Sequence, residues 1–164
     1  TGALEDSNVK VAFKCYDYRF NEVAKEEFEF KGTGEAVNRL GTMELGREQT
    51  RSLILLFTAE VIADGEQVFR TFYFANTEVR PGSLFNLPRT TLTTSRSGNE
   101  VTVSNTGDNP AVGVNITSPG NEHRLIASDS FFWLNPGESR TVNVNISDSV
   151  SASCWNMEGM PWMK

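Results

Sequence analysis

A period of two runs through this chain from end to end, and it leaves little room for any fold class but all-β. Val9, Val11, Phe13 and Cys15 alternate with Lys10, Ala12, Lys14 and Tyr16. Successive side chains of a strand point to opposite faces, so this is a strand with one dry side and one wet side. The pattern returns at Leu53, Leu55, Phe57, Ala59 and Val61, where Ile54 and Leu56 fill the opposite positions and imply cover on both faces over part of the strand. It returns again at Val112, Val114 and Ile116, and at Val142, Val144 and Ile146 opposite Thr141, Asn143 and Asn145. Turn formers stand between the runs: Asp64-Gly65, Ser97-Gly98-Asn99, Thr106 to Pro110, Ser118-Pro119-Gly120-Asn121 and Asn135-Pro136-Gly137.

The densest apolar stretch is Phe131-Phe132-Trp133-Leu134. It is too short for a helix and is bounded by turn residues, so it reads as a buried strand. Glu22 to Phe30 contains good helix formers but follows a turn without a cap and lies between strands, so it too reads as a strand. Ala36 to Leu45 is a weaker strand interrupted by Gly41. Val68 to Phe74 is a stronger one, with Val68, Phe72 and Phe74 paired with the preceding strand, and Val150 to Trp155 is the last. The 164 residues then divide into a β-sandwich over 1–78, a Pro-Gly-containing linker over 79–90 and a second β-sandwich over 91–164 that ends in an apolar tail. Sandwiches of that size bury only ~60–65% of their unfolded surface, so each is expected to lean on the other or on a larger body.

Composition removes several function classes. The formal charge of −6, with basic residues scattered singly among acids, offers no stripe to a nucleic-acid backbone. No apolar run is long enough for a membrane span, and the polar start, Thr1 to Asn8, carries no signal-peptide pattern. Cys15 and Cys154 stand at opposite ends of the chain, each on the apolar side of a strand pattern, and read as free buried thiols. No second Cys or His stands at ligand spacing, so no metal site is expected, and no cofactor either, because no phosphate-binding or dinucleotide-binding loop is present. Gly32-Thr33-Gly34 is a turn, since no helix follows it.

Catalytic chemistry is equally thin. The single histidine, His123, falls in the polar turn Asn121-Glu122-His123-Arg124 and reads as a solvated loop residue. No nucleophile elbow occurs. A glycosidase needs only two carboxylates, but in a cleft and with one poised by an apolar surround, whereas Glu26-Glu27, Glu44 and Glu48 stand in solvated positions. No catalytic residue is therefore assigned. Two glycosylation sequons, Asn115-Ile116-Thr117 and Asn145-Ile146-Ser147, are of a kind common by chance in such sequences. Aromatic rings stack on sugars and an exposed indole is costly, so Trp133, Trp155 and Trp162 are the candidate carbohydrate or domain contacts. Trp133, inside the apolar run, reads as core, and Trp162, in Gly159-Met160-Pro161-Trp162-Met163, is the ring most in need of a partner surface.

The second half carries a family pattern. Leu87-Pro88-Arg89-Thr90-Thr91-Leu92 comes first, then Val101-Thr102-Val103-Ser104-Asn105-Thr106-Gly107 with Pro110-Ala111. Ser128-Asp129 through Pro136-Gly137-Glu138-Ser139-Arg140-Thr141-Val142 follows, and Ser151-Ala152-Ser153-Cys154-Trp155-Asn156 closes the set. In that order they resemble the C-terminal immunoglobulin-like domain of glycoside hydrolase family 2 enzymes of the β-mannosidase, exo-β-glucosaminidase and endo-β-mannosidase type. The first half, which ends in Arg70-Thr71-Phe72-Tyr73-Phe74, resembles the immunoglobulin-like domain that precedes it. The departures lie at Thr71-Phe72-Tyr73-Phe74 and Asp129-Ser130, and they blur the enzyme subgroup rather than the fold.

The resemblance implies two immunoglobulin-like antiparallel β-sandwiches in tandem, without catalytic residues of their own. The two catalytic glutamates of such enzymes belong to a preceding (β/α)₈ barrel. The expected partners are that barrel and the other domains of a parent enzyme, and the compartment the family implies is periplasmic or secreted. The leading expectation is a non-catalytic region bracing the barrel of a retaining glycosidase. A carbohydrate-binding module working through exposed tryptophan and a protein-interaction sandwich are the alternatives.

Overall fold

A computed structural model of the chain describes residues 4–33, 39–47, 54–75, 86–120 and 124–158. The chain forms two compact units, Thr1–Ser83 and Leu84–Lys164. Among the described residues the regular elements are strands, and every pair of neighbouring strands is antiparallel. The all-β class read from the alternation is the one observed. No helix among the described residues is long and apolar enough to cross a membrane.

The first unit holds β1 (Asn8–Tyr16), β2 (Glu22–Lys31), β3 (Leu55–Ala63) and β4 (Glu66–Ala75) in one sheet of order β2-β1-β3-β4. The β1–β2 turn is built by Asp17, whose carboxylate accepts the backbone N–H groups of Arg19 at 2.8 Å and Asn21 at 2.9 Å and the Asn21 amide at 2.8 Å. Glu22–Lys31 is a strand despite its helix formers, because β1 offers it a ladder from Asn8↔Lys31 to Tyr16↔Glu22. Asp64 and Gly65 both have positive φ, +49° and +89°, as the tight turn of the β3–β4 hairpin requires. Ile54, Leu55 and Leu56 are all buried, so the start of β3 is covered on both faces, as its sequence implied.

Two expectations for this unit are corrected. Val68 does not pair with a residue of β3, and it is 54% exposed. Val61 pairs with Phe69 and Ile62 with Gln67, so Val68 is the extra residue of a β-bulge, and the alternation changes phase there. The expected strand over Ala36 to Leu45 is absent from its described part, residues 39–45, while residues 36–38 lie outside the described residues. At Gly41 the backbone passes close over the Phe28 ring: a Cβ there would stand 2.6 Å from it.

The second unit packs two three-stranded sheets. One holds β5 (Leu92–Ser97), β6 (Glu100–Asn105) and β9 (Ser139–Asn143), in the order β5-β6-β9. The other holds β7 (Ala111–Thr117), β8 (Phe132–Leu134) and β10 (Ser151–Ser153), in the order β10-β7-β8. Leu92, Val101, Val103 and Val142 from the first sheet meet Ala111, Val114, Ile116, Phe132, Leu134 and Ala152 from the second in one buried core. In β7, Ala111 pairs with Leu134 and Val114 with Phe132, so Val112 and Gly113 together oppose the single residue Trp133. Gly113 takes φ +66°, a left-handed geometry that glycine adopts without steric cost.

The aromatic strand is one residue shorter than its sequence suggested. Phe131 is not part of the buried run; it has φ +56° and is 56% exposed, and β8 begins at Phe132. Asp129 Oδ1 accepts the Ser130 N–H at 2.8 Å and Asp129 Oδ2 pairs with Arg140 at 2.6 Å, which ties the approach to β8 down to β9. The Arg140 guanidinium also lies 5.0 Å from the centre of the Phe132 ring. Beyond β8, the Glu138 N–H donates to Asn135 O at 3.0 Å and Gly137 has φ +75°, a type II turn with Pro136 first, as read from Asn-Pro-Gly. The last strand covers Ser151–Ser153, shorter than the expected Val150 to Trp155.

Candidate functional site

The motif residues of the second half converge on a buried polar knot. Asn156 is fully buried; its Oδ1 accepts the Val112 N–H at 3.1 Å, and its Nδ2 donates to Pro88 O at 2.7 Å and Pro110 O at 2.8 Å. The Thr90 N–H donates to Asn156 O at 3.0 Å, and Thr90 Oγ1 is hydrogen-bonded to Asn105 Oδ1 at 2.7 Å. Asn105 then donates to Asn109 O at 2.8 Å and Leu134 O at 3.2 Å, while its Oδ1 also accepts the Gly107 N–H at 3.2 Å. Three side chains thus join the start of the unit, the β6–β7 turn, the end of β8 and the last turn. Buried polar groups persist only when their partners are in place, so this knot specifies the fold. Thr90, Asn105 and Asn156 are functional for architecture, and each stands in one of the motif runs quoted for the second half.

The tryptophans have distinct settings. Trp133 is 3% exposed and its indole N–H donates to Asn135 Oδ1 at 2.8 Å, so the ring is part of the interior. Trp155 is half-buried and lies against the Gly113 bulge, where a Cβ would stand 2.9 Å from its ring; its backbone N–H donates to Val112 O at 2.9 Å. Trp162 and His123 lie outside the described residues. Large exposed apolar side chains occur elsewhere: Val68, Phe69 and Tyr73 on β4, and Ile126 and Phe131 in the segment between β7 and β8. The period-two reading missed the exposure of Val68 because the bulge shifts the phase of β4, and that of Phe131 because φ +56° turns its side chain out of register.

The carboxylates with displaced titration all move downward, opposite to what a general acid needs. Lys10 at 2.7 Å and then Lys25 at 2.6 Å pull Glu27 down to about 2. Burial pushes Asp17 up, but the hydrogen bonds from Asn21 and Arg19 outweigh it and leave the group below its ordinary value. The Asn8 backbone and then the Ser7 hydroxyl hold Asp64 down. Burial raises both thiols, Cys15 and Cys154, to about 11, so they are protonated and unreactive at neutral pH. Both are free and they lie in different units. No group of three His, Cys, Asp or Glu among the described residues is placed to hold a metal ion.

Two open hollows were of interest. One, about 470 Å³, is lined by Phe28, Phe30, Arg39 and Leu40 together with Glu27 and Glu29; Glu27, fixed as an anion, cannot supply a proton there. The other, about 270 Å³, lies in the second unit between Asn115-Ile116-Thr117 and Leu125, Ala127 and Ser130. The amide of the second sequon, Asn145, is engaged in the fold: its Oδ1 accepts the Ile126 N–H at 2.7 Å and its Nδ2 donates to Arg124 O at 2.8 Å.

Comparison with known proteins adds a family to this geometry. Residues 85–157 match the Ig_mannosidase family, an Ig-fold domain. No curated protein sequence matches the chain. Among solved structures it is similar to the exo-chitosanase CsxA of Amycolatopsis orientalis, at 18% identity and a TM-score of 0.64 over 92% of this chain and 23% of that one. A structure of exo-β-D-glucosaminidase CsxA with a castanospermine analogue gives 19% identity and a TM-score of 0.63 over the same shares. A β-D-mannosidase from Dictyoglomus thermophilum gives 13% identity and 0.58 over 94% of this chain and 19% of that one. These likenesses are of fold, and the chain spans less than a quarter of the length of each.

Proposed function

We propose, from the premise that residues 85–157 are an Ig-fold domain of the mannosidase family, that the chain serves as the non-catalytic C-terminal accessory region of a retaining family 2 glycoside hydrolase of the β-mannosidase or exo-β-glucosaminidase type. Its partners on this reading are the catalytic barrel and the other domains of that enzyme, which the two units brace. One observation carries the reading. The match to glycosidases runs through both units, over 92% of this chain, although the family match is confined to the second.

The local chemistry agrees with it. The second unit uses its buried polar side chains to fasten its own ends, and the carboxylates with displaced titration among the described residues move downward, away from the range of a general acid. The parent enzyme would work on β-linked mannose or glucosamine in the periplasm or outside the cell. The test is hydrolysis of aryl β-mannosides and β-glucosaminides by the 164-residue chain and by the whole polypeptide its gene encodes. Turnover by the polypeptide and none by the chain supports the reading. Turnover by the chain alone, or a polypeptide without a barrel, overturns it. Retention of the chain on immobilised mannan or chitosan, abolished by Trp155→Ala, would favour a carbohydrate-binding module instead.

A further inference from the structure

The structure separates the two glycosylation sequons. Asn115 stands on β7, the middle strand of its sheet, opposite Ser153 of β10. Its neighbours Val114 and Ile116 belong to the buried core, so alternation puts Asn115 and Thr117 on the outer face. The Thr117 hydroxyl lies 3.1 Å from that of Ser151, its partner on β10, and this part of the face is small, neutral and polar. Asn115 is half-buried, and its side-chain amide has no hydrogen-bond partner among the described residues. It also lines the hollow of about 270 Å³, along whose walls no charged side chain stands.

Asn145 is the more exposed of the two, but its sequon is committed to the fold. Its side-chain amide binds Ile126 and Arg124, and the Arg96 guanidinium donates to Ile146 O and Asp148 O, the carbonyls on either side of Ser147. A sugar on the Asn145 nitrogen replaces one of its two hydrogens and crowds the bond to Arg124 O. On Asn115 the same sugar breaks no side-chain bond, and the hollow leaves room for its first ring. Order of synthesis acts in the same direction. Arg96, Arg124 and Ile126 all precede the second sequon, whereas β8 and β10, the strands that flank β7, both follow the first. A chain folding from its N-terminus therefore presents Asn115-Ile116-Thr117 unpaired as it emerges, but can close on Asn145 at once.

We infer that Asn115 is an acceptor for N-linked glycosylation and that Asn145 is not. The donor is a lipid-diphosphate-linked oligosaccharide of the eukaryotic secretory route, and the Thr117 hydroxyl two residues on completes the recognised triplet. The Asn115 side-chain nitrogen bonds to the anomeric carbon of the oligosaccharide and loses one proton. The bond from that carbon to the diphosphate oxygen breaks, and the lipid diphosphate leaves with the electron pair. The inference is independent of the accessory-region reading, since it concerns the outer face of the second unit whatever accompanies the chain.

The experiment is secretion of the 164-residue chain from yeast, followed by peptide N-glycosidase, which leaves aspartate wherever a glycan was attached. Peptide mass spectrometry of the folded fraction should find aspartate at 115 and asparagine at 145. Asn115→Gln and, separately, Thr117→Ala should abolish the loss of mass on enzyme treatment. Ser147→Ala, which destroys the second triplet without touching the Asn145 bonds, should leave that loss unchanged. The melting temperature should be the same before and after the glycan is removed. Asparagine at 115 in the folded product overturns the inference, and so does aspartate at 145. A glycosylated chain that melts lower than the treated one overturns it as well, because the fold then does not accept the sugar. None of these outcomes bears on the accessory reading, which stands or falls on glycoside hydrolysis by the whole polypeptide.

Discussion

Asn156→Ala should remove the main fastening of the second unit. The side chain is fully buried and makes three hydrogen bonds, one accepted from Val112 and two donated to Pro88 O and Pro110 O. Truncation leaves one buried N–H and two carbonyl oxygens without their partner. An orphaned buried polar group costs about 1–3 kcal/mol, a carbonyl less than an N–H, so the loss should be about 3–5 kcal/mol. That is a large share of the 5–15 kcal/mol typical of a domain. Urea unfolding followed by tryptophan fluorescence is the assay, because all three tryptophans lie beyond residue 132 and report on the second unit.

Asn156→Asp separates hydrogen bonding from volume. It keeps an acceptor for the Val112 N–H but sets a carboxylate oxygen against two carbonyl oxygens. It should therefore be as damaging as alanine at neutral pH and recover in part on acidification, when the protonated oxygen donates again. A loss below about 1 kcal/mol for Asn156→Ala, or a pH-independent Asn156→Asp, would refute the role given to the knot.

Other perturbations test separate links. Gly113→Ala should cost about 1–3 kcal/mol, since φ is +66° and the added methyl meets the Trp155 ring; a double cycle with Trp155→Ala should return the steric share and leave the backbone share. Trp133→Ala should cost about 3–5 kcal/mol, whereas Phe131→Gly should be neutral or stabilising by up to about 1 kcal/mol, because it relieves a left-handed residue with an exposed ring. A melt unchanged by Trp133→Ala would show that the aromatic strand is not core. For Glu27, whose value falls from 4.5 unfolded to about 2 folded, the contribution is present above about pH 4.5 and disappears as pH falls toward 2. Glu27→Gln should flatten the acid limb of the stability profile in that window; an unaltered limb would show that the Lys10–Glu27–Lys25 cluster contributes nothing.

The strands that pack were the ones legible in the sequence. β1, β3 and the β9 run announce themselves because a side of each meets a core and period two survives there, and β7 does so by its apolar content despite its bulge. The turns were legible for a different reason: Asp64-Gly65 and Pro136-Gly137 adopt dihedral angles that few other residues accept. What escaped was local phase. A bulge inserts a residue without a compositional mark, so Val68 was expected to pair with β3, and the left-handed backbone at Phe131 put that ring outside a strand that starts one residue later. Ala36 to Leu45 alternated weakly and over its described part is no strand, because alternation without a partner strand specifies nothing. The polar knot was half visible, since Asn105 and Asn156 stood in recognisable motifs, but their convergence with Thr90 joins residues far apart in sequence and needs the fold. That β4 lies at the edge of its sheet was not legible either, because period and composition do not report which strand lies outermost.

The most direct test is the intact mass of the native polypeptide that carries this sequence, read together with its peptide sequence and structure ahead of Thr1. The expected result is a chain several times longer than these 164 residues, holding a (β/α)₈ barrel with two catalytic glutamates ahead of Thr1. A native polypeptide of 164 residues, with nothing to brace, would contradict it.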